Sequence, residues 1–282
     1  MAPVRVVTDS ACDLSASLAG HYGIDVVPLT IRFGNEELLD RRDISPADFW
    51  RRCKDSPTLP ETAAPPPGAF ANAYRDAAAE GASGVLCLTL SAGVSATYQS
   101  ALAGAELLEG GLPVAVVDTR SLTMGQGLMC IAAAERAEAG ASLDALVAFA
   151  HDLTTRTRMV GVVDTLDHLQ RGGRIGGAAA LLGSLLSIKP VVEVRNGVVE
   201  RESRQRTRGR ALDYVAAKVA AAAPLERLAV CDGAAPDIDA VVARLSEVEV
   251  AHELVVTDLG PVVGTHAGPG TVGVCYLLAA AA

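Results

Sequence analysis

No stretch of the chain approaches the ~20 consecutive apolar residues that a membrane-spanning helix requires. The longest candidate, Thr271 to Ala282, is too short. The opening residues MAPVRVVTDS lack a basic stretch followed by an apolar one, so no secretory leader is legible and a cytoplasmic protein is expected. Aromatic residues make up only 4% of the chain and do not interleave with basic ones, which argues against a nucleic-acid surface. The cysteines at 12, 53, 87, 130, 231 and 275 form no C-x-x-C pair. The histidines at 21, 151, 168, 252 and 266 form no H-E-x-x-H. Metal-ligand spacing is thus missing, and buried reduced thiols are the expected state. Both common phosphate loops are absent: Gly125-Gln126-Gly127 has Cys130 where a third glycine would stand. Lys and Arg are missing between Asp76 and Thr119, which suits a weakly charged head group better than a polyphosphate.

What the chain does have is apolar material. Half of its 282 residues are hydrophobic and the mean hydropathy is +0.30. That excess points to deep burial or an apolar cavity, although alanine richness accounts for much of it. A chain of this length forms about two domains. In the first half, strands read at Val4–Val7, Ile24–Ile31, 84–90 and 113–117 alternate with helices near 13–23, 46–53, 68–80, 95–109, 125–139 and 142–155. Alternation of this kind gives βαβ units and a parallel sheet between helical layers. Ser56 to Pro67 reads as a proline-rich connection. The second half reads as an α+β domain with a mixed sheet. It opens at Met159–Val163 and contains a hairpin turning at Asn196-Gly197, a dipeptide suited to a type I′ turn. A helix over 208–222, a strand at 227–231, a helix over 237–246 and a strand at 250–256 follow. A glycine-rich loop from Gly260 to Gly270 then leads into a last strand over 271–278. The division falls near residue 157, giving domains 1–157 and 158–282.

Four places carry chemistry. Thr62 stands before a proline run, in TAAPPPGAF, and Ser95 stands where a strand gives way to a helix, in TLSAGVSATYQSA. A helix start offers unpaired N–H groups to an anion, and a hydroxyl there can donate to a carboxylate. Equally, Ser95 reads as an ordinary helix cap. His266 sits among glycines in GTHAGPG, where it can donate to a carboxylate or make a structural hydrogen bond. Arg171 and Arg174 flank glycines in RGGRIGG, ahead of an apolar helix read over Ala178–Leu186. They lie in a basic island, Arg156 to Arg210, within a chain of net charge −9. Such an island is either a docking face for an acidic partner or phosphate, or a solvated surface. Gly93-Val94-Ser95-Ala96-Thr97 is one residue from G-x-S-x-G, so a serine hydrolase acting on acyl esters through Ser95 stands as the enzyme alternative. A regulatory or adaptor subunit of a sugar-type kinase, docking by the basic island, is a third class.

Taken in order, TDSACDL at 8–14, PETAAPPPGAF at 60–70, LSAGVSATYQSA at 90–101 and VVDTRSLTMGQG at 116–127 resemble the DegV family of bacterial fatty-acid-binding proteins. The resemblance continues through DTLDHLQRGGRI at 164–175, SIKPVVEVRNGVV at 187–199 and GPVVGTHAGPGTVGV at 260–274. It implies two α/β domains holding a long-chain fatty acid, such as palmitate or oleate, between them. It implies carboxylate contacts from Thr62 and Ser95 with His266 nearby, and no cofactor, metal or catalytic residue of the carrier's own. It further implies presentation of the acid to a separate fatty acid kinase, which makes the acyl phosphate used in phospholipid synthesis, with Arg174 and Arg206 at positions linked to that step. Asp9 and Ser10 match a family signature to which the residues alone assign no role. The chain departs from the family pattern at Ala63, Ala64 and Pro66, and at Ala96, where a glycine is usual. An alanine there would be strained if the position needed a positive φ.

Overall fold

The computed structural model describes residues 3–56, 58–182 and 188–280. The chain enters along β1 (Arg5–Asp9), buried from its second residue on. Ser10–Cys12 form one 3-10 turn, with the Asp9 carboxylate accepting from Ala11 N. Ser15 caps α1 (Ala16–His21) by accepting from Leu18 N, which satisfies one of the free donors of a helix start. β2 (Ile24–Val27) follows. The single strand read over Ile24–Ile31 is in fact two strands in two sheets, because Pro28 has no N–H for a ladder. Leu29 N instead donates to Ser10 Oγ at 3.0 Å. The chain then forms β3 (Thr30–Phe33), β4 (Glu36–Leu39) and α2 (Pro46–Asp55), the last capped by Ser45 with Pro46 in its first turn. The proline-rich connection contains β5 (Glu61–Ala63), a strand without a sequence signal of its own. It exists because Ile31 on β3 pairs with Thr62, which completes a small antiparallel sheet in the order β4-β3-β5.

α3 (Pro67–Ala79), β6 (Val85–Thr89), α4 (Thr97–Glu106), β7 (Val114–Asp118), α5 (Met124–Glu138) and α6 (Leu143–Arg156) complete the first half. Its main sheet is parallel, in the order β2-β1-β6-β7. Val7, Val85 and Cys87 bury one face with Phe70 and Tyr74 of α3. Val6, Leu86 and Leu88 bury the other with Leu128 and Ile131 of α5. Both faces are therefore covered, as a parallel sheet requires.

The second sheet begins with β8 (Thr157–Val162). Next come α7 (Asp167–Arg171), a 3-10 turn over Gly176–Leu181, β9 (Lys189–Arg195), β10 (Val198–Gln205) and α8 (Arg208–Ala220). β11 (Leu225–Gly233), α9 (Ile238–Leu245), β12 (Val255–Asp258), α10 (Pro261–Ala267) and β13 (Thr271–Leu278) close the chain. The strand order is β10-β9-β8-β13-β11-β12, with only β11 and β12 parallel. Asn196 and Gly197 both have positive φ, as the hairpin reading requires. The apolar helix read over Ala178–Leu186 is a 3-10 turn as far as Leu181, and 183–187 lie outside the described residues.

The Gly260–Gly270 loop of the sequence reading contains a helix, α10. Seven residues are too few to form a helix from propensity alone, so packing holds it. Gly264 permits that packing: a Cβ there would lie 2.8 Å from the Trp50 ring of α2. One face of the second sheet packs Val160, Val162, Val230 and Val274 under α8 and α9. The opposite face turns toward the first domain. Between the two sheets runs α5, buried along most of its length.

Candidate functional site

An apolar cavity lies where the inner face of the second sheet meets the first domain. Its volume is about 180 Å³. Its floor is the β8–β13 face, including Met159, Gly161 and Gly273. Leu29, Leu90 and Leu122 close it from the first domain, and Val262 and Val263 of α10 from one end.

Thr62, Ser95 and His266 all line this cavity, as does Arg174. Thr62 Oγ1 and His266 Nε2 meet at 2.9 Å. Ser95 Oγ and Thr97 Oγ1 also lie 2.9 Å apart, and Thr97 N donates to Ser95 Oγ at 3.3 Å. The N-cap position of α4 is Ala96, without a side-chain cap, so Ser95 serves the first helix N–H, that of buried Thr97, from one residue further out. Ala96 has φ −78°, so no strain arises from the missing glycine. Ala63 and Ala64 do line the cavity, and as alanines they add no donors.

The seam between domains gathers these groups. Arg174 Nε donates to the carbonyl of Val94, beside Ser95, at 3.2 Å, and its Nη1 donates to the Gly172 carbonyl at 2.6 Å. Gly172 lies against the His266 ring: a Cβ there would approach Nδ1 to 2.2 Å. Contacts thus run from Ser95 through Arg174 and Gly172 to His266 and Thr62. Ser91 Oγ donates to the Gly197 carbonyl at 2.6 Å, which docks the hairpin turn on the same loop. Burial pushes the His266 pKa down to about 4, with the charges of Arg174 and His168 acting in the same direction. Its imidazole is neutral at pH 7. Nδ1 has no hydrogen-bond partner, so the one polar contact of the ring is Nε2 with the Thr62 hydroxyl, and either atom can donate depending on the tautomer.

This arrangement is not a catalytic triad. Ser95 and His266 bond to Thr97 and Thr62 rather than to each other, and no carboxylate orients Nδ1. Among the described residues no group of His, Cys, Asp or Glu is arranged for a metal ion, and no helix is long and apolar enough to cross a membrane. Arg206 is not brought to the cavity; it lies exposed after β10.

The acidic signature near the start supports the site from behind. Asp9 accepts from Leu90 N at 2.8 Å and Gln126 Nε2 at 3.1 Å, fixing the strand exit that leads to Ser91 and Ser95. Burial raises its pKa to about 7 against those hydrogen bonds. Asp13, fully buried, accepts from Gly260 N at 2.9 Å and Arg41 Nη2 at 3.0 Å, which holds the entrance to α10. Ser10 receives Leu29 N. Sequence reasoning missed the contacts of Arg41 with Asp13 and of Gly172 with the His266 ring, since no local pattern marks them.

A profile described as uncharacterised protein, DegV family, matches residues 3–279. A DegV domain-containing protein of Streptomyces coelicolor is 40% identical over 276 residues, covering 96% of this chain and 97% of its own. One from Deinococcus radiodurans is 37% identical over 277 residues, covering 96% and 97%. Among solved structures, a DegV family protein from Thermus thermophilus, described for its fatty acid binding, superposes with a TM-score of 0.87 at 35% identity, covering 98% of this chain and 100% of its own. DegV of Bacillus subtilis, described as a fatty acid binding protein, gives 0.85 at 28% identity, with coverage of 99% and 100%. A stearic-acid-binding protein from Eubacterium ventriosum gives 0.86 at 26% identity, covering 98% of each chain.

Proposed function

The chain belongs to the DegV family, and on that premise we propose that it binds one long-chain fatty acid between its two domains and presents the carboxylate to a separate fatty acid kinase. The observation that carries this reading is the junction of an apolar cavity with the Thr62–His266 pair and Ser95 on its wall. Burying an acyl chain contributes ~0.8 kcal/mol per methylene, so a long chain supplies ample affinity. The carboxylate cannot be buried without donors. In the tautomer that carries its proton on Nε2, His266 donates a hydrogen bond to Thr62 Oγ1, which leaves the Thr62 hydroxyl hydrogen to donate to one carboxylate oxygen. Ser95, accepting from Thr97 N, donates its own proton to the other.

The carrier contributes no nucleophile. The fatty acid's own carboxylate oxygen attacks the terminal phosphoryl group of a nucleoside triphosphate held by the kinase. A new P–O bond forms, the bond to the nucleoside diphosphate breaks, and the acyl phosphate leaves. Arg174 and Arg206 belong to the docking surface in this reading, and the cytoplasm, where nucleoside triphosphates are available, is the place of action. Native and denaturing mass spectrometry of the purified protein tests the first step. The masses are expected to differ by one fatty acid. Equal masses, with no uptake of added palmitate or oleate, overturn the reading.

A further inference from the structure

We propose that the Met159 side chain, lying over the paired glycines Gly161 and Gly273, sets the length of acyl chain that the cavity accepts. The inference rests on the fatty-acid reading above. Gly161 on β8 and Gly273 on β13 are direct register partners. Directly opposed residues of an antiparallel pair point to the same face, and both glycines line the cavity. The row extends to Val192 beyond Gly161 and to Cys231 beyond Gly273. Two adjacent positions on this floor therefore carry no side chain.

The space above them is taken by the end of Met159. A Cβ on Gly161 would lie 3.7 Å from the Met159 Cε methyl, and one on Gly273 would lie 4.0 Å from it. Met159 itself lines the cavity and joins the main core behind it. Its place along the sheet makes it an end wall. Thr271 begins β13 beside α10, donating to the Ala267 carbonyl at 3.0 Å next to His266. Met159 pairs with Cys275, four residues further along β13, which is ~13 Å at about 3.3 Å per residue. The carboxylate end thus lies toward Thr271 and the tail toward Met159. Methionine is unbranched and flexible, so it can fill the groove over the glycines or yield to a tail that reaches it.

The test is competition among saturated fatty acids of twelve to twenty carbons, mixed in equal amounts and read by native mass spectrometry. Met159→Ala is expected to move the preferred length up by about two to three carbons, because it removes three heavy atoms. Gly161→Val is expected to move it down, while Met159→Leu, close in volume, keeps it. If Gly161→Val does not fold, Gly161→Ala is used, since its Cβ meets only ordinary contacts, and a smaller downward shift is expected. An unchanged optimum in Met159→Ala and in the Gly161 variant, with wild-type protein still loaded, overturns the inference alone and makes Met159 a packing residue. Wild-type protein that takes up no acid of any length overturns the fatty-acid reading and this inference with it.

Discussion

The Thr62 hydroxyl and the His266 imidazole meet at 2.9 Å although 204 residues separate them in the chain. Thr62 arrives on a three-residue strand of the first domain, and His266 on a seven-residue helix of the second. The pair is one unit, and its members should not behave independently.

Thr62→Ala should weaken fatty-acid binding by ~1–3 kcal/mol, since a buried carboxylate loses a donor. Thr62→Ser should restore most of it. His266→Ala should cost less in the Thr62→Ala background than in wild type, because residues in one hydrogen-bond chain do not add. Displacement of a fluorescent fatty acid from the four proteins measures the coupling. Additive losses would mean that the imidazole does not act through Thr62.

The His266 ring should remain neutral across the usual histidine range. Its pKa is held at about 4 against an ordinary value near 6.5. The unfolded chain therefore binds a proton in that window that the folded chain does not, so this group's contribution to stability falls as pH drops from about 6.5 toward 4 and is level above about 7. Carbon–proton NMR of the imidazoles in delipidated protein, free of any carboxylate at the site, should show the His266 signal unmoved between pH 8 and 5.5. Titration near pH 6.5 would contradict the buried position of the ring.

Gly264→Ala should destabilise the protein by ~1–3 kcal/mol through overpacking against α2. Its Cβ would press on the ring of Trp50 at 2.8 Å and on Phe49 at 3.0 Å. The same change should weaken fatty-acid binding, since α10 carries His266. Trp50 is the chain's one tryptophan and packs on Gly264 of α10, so its emission should report ligand binding through that helix. Thermal melts and a fluorescence titration check both points. An unchanged melting temperature would refute the tight contact.

Arg174→Ala should keep fatty-acid affinity within about threefold, because the arginine bonds to backbone carbonyls at the seam, yet should lower acyl-phosphate formation by the partner kinase more than about tenfold. Arg174→Lys should recover only part of the turnover, keeping the charge but losing the planar fork. Binding and kinase turnover measured on the same variants decide the matter. Full turnover in Arg174→Ala would reduce the residue to a domain tie.

Much of the framework was legible in the residues. Ser15, Ser45 and Ser142 each cap the helix they precede. The turn at Asn196-Gly197 has the geometry its two residue types favour. What misled the reading was non-local. Pro28 divided an apparently continuous strand between two sheets, and β5 and α10 were invisible because each is too short to announce itself. Asp9 and Ser10 could be picked out by motif, but their work on Leu90 and Leu29, like that of Asp13 on Gly260, appears only once distant segments are brought against them.

The sequence by itself determined the α/β layering, the change to a mixed sheet, the absence of metal and phosphate motifs, and the residue types available to a carboxylate. These follow from preferences that act within a few residues: hydrophobic period, capping and turn chemistry. Tertiary structure alone decided that Thr62 faces His266, that Arg174 ties Val94 to Gly172, and that Met159 lies over two glycines. Those relationships depend on strand register and on the packing of one domain against the other. The burial of apolar surface from distant parts of the chain sets both, and no local pattern records the outcome.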